Sequence, residues 1–87
     1  MDDIQIITQA EANAIFDSHE IRGRYEPFGC FMVKEDNGTF TAIDNAAGYA
    51  WTECFKHEDI ARSWLTGDLD TDTAYELDEE RSLKHDH

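Results

Sequence analysis

Apolar and polar positions follow two different periods along the chain, and these predict two helices that flank three strands. A capping box begins the first helix: the Thr8 hydroxyl can accept the Glu11 amide, and the Glu11 carboxylate can bind the Thr8 amide. Apolar residues then recur at helical spacing, which predicts a helix over 8–20. Gly23 and Pro27 bound the loop that follows.

Three strands are predicted in the middle of the chain. Residues 28–35 form an apolar, β-rich run, and residues 40–44 form the return strand. The sequence Asp-Asn-Gly at 36–38 predicts a type I′ turn between them, because Asn-Gly tolerates positive φ angles. A second turn at 45–48 leads into a third strand, 49–55, whose side chains alternate between two faces.

A second helix is predicted over 57–66, where four apolar residues share one face and Gly67 can end the helix. The order is therefore α-β-β-β-α, an α+β fold with a three-stranded antiparallel sheet and both helices on one face. The expected core residues are Phe16, Phe31, Val33, Ile43, Trp51 and Trp64. Either face of the first strand can point inward, because both are apolar. If Trp51 or Tyr49 were exposed, that residue would be an interface anchor instead.

The composition changes after residue 67, which predicts a single domain over 1–67 and an acidic C-terminal extension over 68–87. The bases of the extension are Arg81 and Lys84. Its acids are Asp68, Asp70, Asp72, Glu76, Asp78, Glu79, Glu80 and Asp86. Both a short helix over 72–83 and a frayed tail fit this segment.

Charge is the property that bears most on function. The 87 residues carry 20 Asp and Glu against 7 Lys and Arg, a net charge of −13. Such a surplus weighs against a nucleic-acid binder and favours contact with basic surfaces. The start of the sequence is acidic and no apolar run is long enough to span a membrane, so we expect no signal peptide and a cytoplasmic protein. Cys30 and Cys54 make no disulfide framework and are expected to be reduced.

Rows of carboxylates can imitate the phosphates of a nucleic acid. Acids three or four apart on a helix lie about 5–6 Å from each other. Duplex DNA presents a phosphate about every 3.4 Å along each strand. The candidate partner-binding residues are Glu58, Asp59, Asp68, Asp70, Asp72, Tyr75, Glu76, Glu79 and Glu80. The aromatic anchor would be Tyr75 or Tyr49. The alternative is an acidic surface that serves solubility only.

The sequence patterns that could indicate a metal site are weaker than the acidic surplus. Asp68, Asp70 and Asp72 fall at positions 1, 3 and 5 of a twelve-residue EF-hand loop, and Glu79 falls at position 12. Thr73 stands where such a loop needs glycine. A calcium-binding module is therefore one alternative.

A zinc site would need Cys54 and His57 together with Cys30 and His19, which lie on separate elements. An acid–base site would need Asp44, Glu53 and His57. No nucleophile motif or phosphate-binding glycine loop accompanies these residues. We expect no enzyme activity, no metal and no cofactor.

The block at 40–55, followed by Trp64-Leu65, resembles short uncharacterised proteins of phages and integrative elements of Gram-positive bacteria. That resemblance implies neither an activity nor functional residues. In size and acidity alone, the chain is similar to anti-CRISPR proteins and other phage DNA mimics.

Together these features suggest a non-catalytic phage or mobile-element inhibitor, acting in the cytoplasm of a bacterial host. As an acidic DNA mimic it would bind a basic nucleic-acid-handling protein, with a CRISPR effector as the first candidate, and would contact neither nucleic acid nor membrane. The alternative from another class is a small accessory protein-interaction module.

Overall fold

The computed structural model of the chain describes residues 4–85. Within them, the elements in chain order are β1 (Ile4–Ile7), α1 (Gln9–Arg22), β2 (Gly29–Lys34), β3 (Phe40–Asn45), β4 (Trp51–Phe55), α2 (Glu58–Leu65) and α3 (Thr71–His85). The α+β class is therefore correct, while the order of elements is β-α-β-β-β-α-α.

The sheet is mixed and has four strands in the order β1-β2-β3-β4. The predicted antiparallel meander is present as β2-β3-β4, but β1 pairs in parallel with β2, so the three-stranded antiparallel sheet was wrong. β1 was missed because its four residues lie directly before the capping box and are too few to show a strand period. Parallel strands need a long connection, and α1 provides it.

α1 begins at the predicted capping box. The Glu11 amide donates to Thr8 Oγ1 at 3.1 Å, and the Thr8 amide donates to Glu11 Oε1 at 3.0 Å. The helix ends at Gly23, whose φ of 77° is left-handed and whose amide donates to the His19 carbonyl. The start predicted from sequence is confirmed, and the helix runs two residues beyond the predicted end.

The helices lie on opposite faces of the sheet, so their predicted placement on one face was wrong. The cluster that includes α1 comprises Ala12, Ile15, Phe31, Val33, Ile43 and Ala50. The cluster that includes α2 and α3 comprises Met32, Ala42, Phe55, Ile60, Ala61, Trp64, Leu65 and Ala74. The reason is that both faces of β2 are apolar. Its successive side chains point to opposite faces of the sheet, and each face must be buried by a helix.

Four of the six expected core residues are buried: Phe31, Val33, Ile43 and Trp64. Phe16 is only half-buried. Trp51 is 55% exposed, which corrects its assignment to the core. It stands at the start of β4, an edge strand of the sheet, where Trp64 is the aromatic ring that packs against it.

Of the two predicted turns, the first has another type than expected and the second agrees with the prediction. In the first, Gly38 has a φ of 88°, but Asn37 does not take a positive φ, so the type I′ turn was wrong. Instead the Gly38 amide donates to the Glu35 carbonyl, and a three-residue loop closes the hairpin. In the second, Gly48 takes the left-handed conformation as expected, with a φ of 89°.

The buried Asn45 ties two loops together at one end of the sheet. Its Nδ2 donates to the carbonyl oxygens of Tyr25 at 3.2 Å and Pro27 at 2.8 Å, and its Oδ1 accepts the Ala50 amide at 3.0 Å. Ala50 has a φ of 48°, which interrupts the extended backbone. β4 therefore begins at Trp51 and not at residue 49 as predicted.

None of the helices within residues 4–85 has the length and apolar character needed to cross a lipid bilayer.

Candidate functional site: the acidic helix α3

α3 is an ordered helix, so the helical interpretation of 72–83 is confirmed and the frayed-tail alternative was wrong. Asp70 caps it: the Thr73 amide donates to Asp70 Oδ1 at 2.8 Å, and the Ala74 amide donates to the Asp70 carbonyl. Hydrogen bonds from the Thr73 side chain and then its backbone hold the pKa of Asp70 below its ordinary value. Asp86 lies outside the described residues.

The inner side of α3 carries a buried carboxylate. Asp78 is 4% exposed, and it accepts the backbone amides of Lys56 at 2.8 Å and His57 at 3.1 Å. The His57 Nδ1 also lies 2.8 Å from Asp78 Oδ1. Because His57 is the N-cap residue of α2 and makes no capping bond with its own side chain, Asp78 places negative charge where the α2 dipole favours it.

Arg81 is the second residue of α3 that contacts α2, and it binds Asp59 on the first turn of that helix. Arg81 Nη1 donates to Asp59 Oδ1 at 2.5 Å and to Oδ2 at 2.6 Å. The Arg81 hydrogen bond holds the pKa of Asp59 below its ordinary value. We call the bonds made by Asp59, Arg81 and Asp78 the inner contact.

Glu58 is also bound by cations of the chain. Arg62 Nε donates to Glu58 Oε2 at 3.0 Å, and Lys34 Nζ lies 3.3 Å from Oε1. The hydrogen bond from Arg62, followed by that from Lys34, lowers the pKa of Glu58. Glu58 and Asp59 were both candidate partner contacts, but the chain's own bases already neutralise them.

The outer side of α3 carries exposed carboxylates: Asp72, Glu76, Glu79 and Glu80. Their separations of three, four, seven and eight residues place them on one helical face. We call this set the outer stripe. At a helical rise of about 1.5 Å per residue it is about 12 Å long, comparable to about three phosphate steps of a DNA strand. Among the side chains of residues 4–83, no Lys or Arg pairs with Asp72, Glu76 or Glu79.

The remaining candidate residues lie beside the stripe and have structural partners. Asp68 Oδ2 accepts the Thr66 hydroxyl at 3.1 Å, in the loop before α3. The Tyr75 hydroxyl donates to Glu53 Oε1 at 2.5 Å and accepts the Cys54 amide at 3.4 Å. Burial and, after it, the Glu53 hydrogen bond raise the pKa of Tyr75 to about 12. Tyr75 therefore fastens α3 to β4 and is only 38% exposed.

Carboxylates are not confined to this side of the molecule. Asp17 and Glu20 are exposed on α1, and Asp36 is exposed in the β2–β3 hairpin. What distinguishes the outer stripe is its regular helical spacing on one face.

The calcium alternative requires a loop over 68–79, but α3 begins at Thr71 and takes up most of that segment. Within the part of the chain that is described, no group of three His, Cys, Asp or Glu side chains is arranged to hold a metal ion. Cys54 is exposed, while His57 is engaged by Asp78.

Three residues that matter in the structure were not chosen as site residues: Asp78, Glu53 and Trp51. Asp78 could have been found, since it lies four residues after Ala74 and therefore on the inner face of the predicted helix. Glu53 accepts the hydroxyl of Tyr75 from 22 residues further along the chain, a contact that no local pattern reveals. It also accepts the indole N–H of Trp51, two residues before it on the same strand.

Comparison of the chain with protein-family models, with curated proteins and with solved structures found no match in any of the three.

Proposed function

We propose that this protein is a non-catalytic inhibitor from a phage or mobile element, which binds a basic nucleic-acid-handling protein and blocks its access to DNA. A CRISPR effector in the cytoplasm of a bacterial host is the first candidate partner. The observation that supports the proposal is the outer stripe, a row of exposed carboxylates on one face of α3.

Folding leaves part of the acidic charge on α3 without a basic partner among the described residues. Asp72, Glu76 and Glu79 have no Lys or Arg partner among the described side chains, so a partner can bind them without breaking internal ion pairs. A groove lined by Lys and Arg would exchange its bound anions for these carboxylates, which makes binding sensitive to salt. The net charge of −13 also speeds the encounter with a basic surface.

A competition experiment tests the proposal. Labelled duplex DNA is bound to a candidate CRISPR effector, and its release by the protein is followed by fluorescence anisotropy between about 50 and 200 mM salt. We expect the wild type to displace the DNA, and the triple variant D72N/E76Q/E79Q to need about tenfold more protein, at about 0.5 kcal/mol for each exposed contact.

The matched control is D17N/E20Q/D36N, which removes the same number of exposed charges from α1 and the hairpin. Its displacement curve should stay close to that of the wild type. Equal losses in both triple variants would mean that net charge alone acts, and the α3 surface would have no special role. Displacement that is indifferent to salt would contradict the mechanism.

A second candidate, the accessory protein-interaction module, is favoured by exposed aromatic residues. Tyr49, Phe28 and Trp51 are 81%, 61% and 55% exposed. Large exposed apolar side chains are typical of protein interfaces. Under this hypothesis, Tyr49→Ala would weaken capture of the partner more than D72N/E76Q/E79Q does.

A further inference from the structure

Trp51 presents a fixed aromatic surface to solvent. Its ring meets that of Trp64 edge to face, with centroids 6.0 Å apart and planes at 83°. Its Nε1–H donates to Glu53 Oε2 at 2.6 Å. These two contacts hold the indole in one orientation although 55% of the residue is exposed. A partner that covers the ring therefore loses little side-chain entropy on this side.

Carboxylates flank the exposed ring. Asp44 lies directly across from Trp51 in the β3–β4 register, which places the two Cβ atoms about 4.5–5.5 Å apart on one face. Glu53 lies on the same face of β4 and binds the indole itself. Neither carboxylate pairs with a Lys or Arg among the described side chains. We call Asp44, Trp51 and Glu53 the Trp51 patch.

The charges of the Trp51 patch select its occupant. The face of an indole ring is negative and attracts cations, and the two carboxylates add to that attraction. An uncharged apolar partner would instead remove water from both carboxylates without replacing their hydrogen bonds. The planar guanidinium of arginine can stack on the ring and donate to a carboxylate at the same time, which the ammonium of lysine cannot do.

From this geometry we infer that the Trp51 patch receives an arginine side chain of the partner. The inference rests on the proposed function, because it takes the partner to be a basic protein. The patch also adjoins the outer stripe: Tyr75 binds Glu53, and Asp72 and Glu79 lie three residues before and four after Tyr75 on α3. One basic surface can cover both.

Two peptides of equal length and charge, oligo-arginine and oligo-lysine, are the probes. Their affinities are measured for the wild type, Trp51→Leu, Trp51→Phe and the control Tyr49→Leu, each checked for folding by thermal unfolding. We expect Trp51→Leu to lower the ratio of arginine to lysine affinity by about two- to fivefold. Trp51→Phe should keep part of the preference, and Tyr49→Leu all of it. In NMR spectra, oligo-arginine should shift the indole N–H signal of Trp51 more than that of Trp64.

The outer-stripe variant D72N/E76Q/E79Q separates this inference from the proposed function. It should weaken both peptides by the same factor and leave their ratio unchanged. If the ratio is the same in wild type and Trp51→Leu while the stripe variant still loses affinity, the arginine site is refuted and the proposed function stands. If neither peptide binds in a salt-dependent way, the proposed function is refuted, and the arginine site with it.

Discussion

The inner and outer sides of α3 carry the same kind of side chain in different surroundings. On the inner side, Asp78 is buried and accepts two backbone amides, and Asp59 of α2 is bound by Arg81. On the outer side, Asp72, Glu76 and Glu79 are exposed to water. The carboxylates of the inner contact therefore stabilise the fold, whereas Asp72, Glu76 and Glu79 have no Lys or Arg partner among the described side chains and repel each other.

Asp78→Ala should give the largest effect. It removes a buried carboxylate and leaves the amides of Lys56 and His57 without their acceptor. We expect a loss of about 2–3 kcal/mol in the free energy of unfolding, measured by urea denaturation. The neighbouring substitution Glu79→Ala, on the outer side, is the control and should change stability by less than about 0.5 kcal/mol. Equal effects would remove the distinction between the two sides.

Tyr75→Phe tests the junction between α3 and β4. The phenol donates to Glu53 and accepts the Cys54 amide, so removal of the hydroxyl should cost about 1 kcal/mol, with Tyr49→Phe as the exposed control. The Tyr75 pKa is raised from 10.0 to about 12, so the stability it contributes is full below pH 10 and lost as pH rises towards 12. Ultraviolet titration should show a late phenol in the wild type that is lost in Tyr75→Phe.

Neutralising three acids of the outer stripe should raise the free energy of unfolding, whereas Asp78→Ala and Tyr75→Phe should lower it. The effect should also be smaller. In D72N/E76Q/E79Q, the repulsion between like charges three and four residues apart is removed. We expect a gain of about 0.5 kcal/mol in stability at low salt, which should vanish as salt screens the charges. Urea midpoints at two salt concentrations measure this. A loss of stability would contradict net repulsion and would show that the interaction of Asp72, in the first turn of α3, with the helix dipole outweighs it.

The capping box, the meander and the second helix were predictable because each depends on residues close in sequence. Thr8 and Glu11 lie one turn apart, and the alternation in β2 to β4 is local. The parallel strand β1 was not predictable in the same way, since its four residues are defined by pairing with β2 across the whole of α1. The opposite placement of the helices follows from the two apolar faces of β2, but those faces do not by themselves assign either helix to one side of the sheet.

The candidate site was predictable in part for the same reason. Each acid could be identified as a candidate from its position in the extension, but only the observed helix brings Asp72 onto the same face as Glu76 and Glu79. Residue type alone could not separate them from Asp59, because the cation that binds Asp59 comes from 22 residues further along the chain.

Asp59→Asn should have the smallest effect, and its pH dependence identifies the cause. Arg81 lowers the pKa of Asp59 below its ordinary value of 3.8, so the ion pair contributes stability above pH 3.8 and loses it as pH falls through the lowered pKa. The side chains of Asp59 and Arg81 are 65% and 41% exposed, so solvent screening limits the contribution of Asp59 to about 0.3 kcal/mol near neutral pH.

In urea unfolding from pH 7 down to pH 2, the difference in unfolding free energy between wild type and Asp59→Asn should shrink towards zero. Asp17→Asn is the matched control on α1, an acid with no ion pair among the described side chains. If the difference in unfolding free energy between wild type and Asp59→Asn is constant with pH, Arg81 does not stabilise the charged carboxylate. Asp59 would then be available to a basic partner, as the acids of the outer stripe are proposed to be.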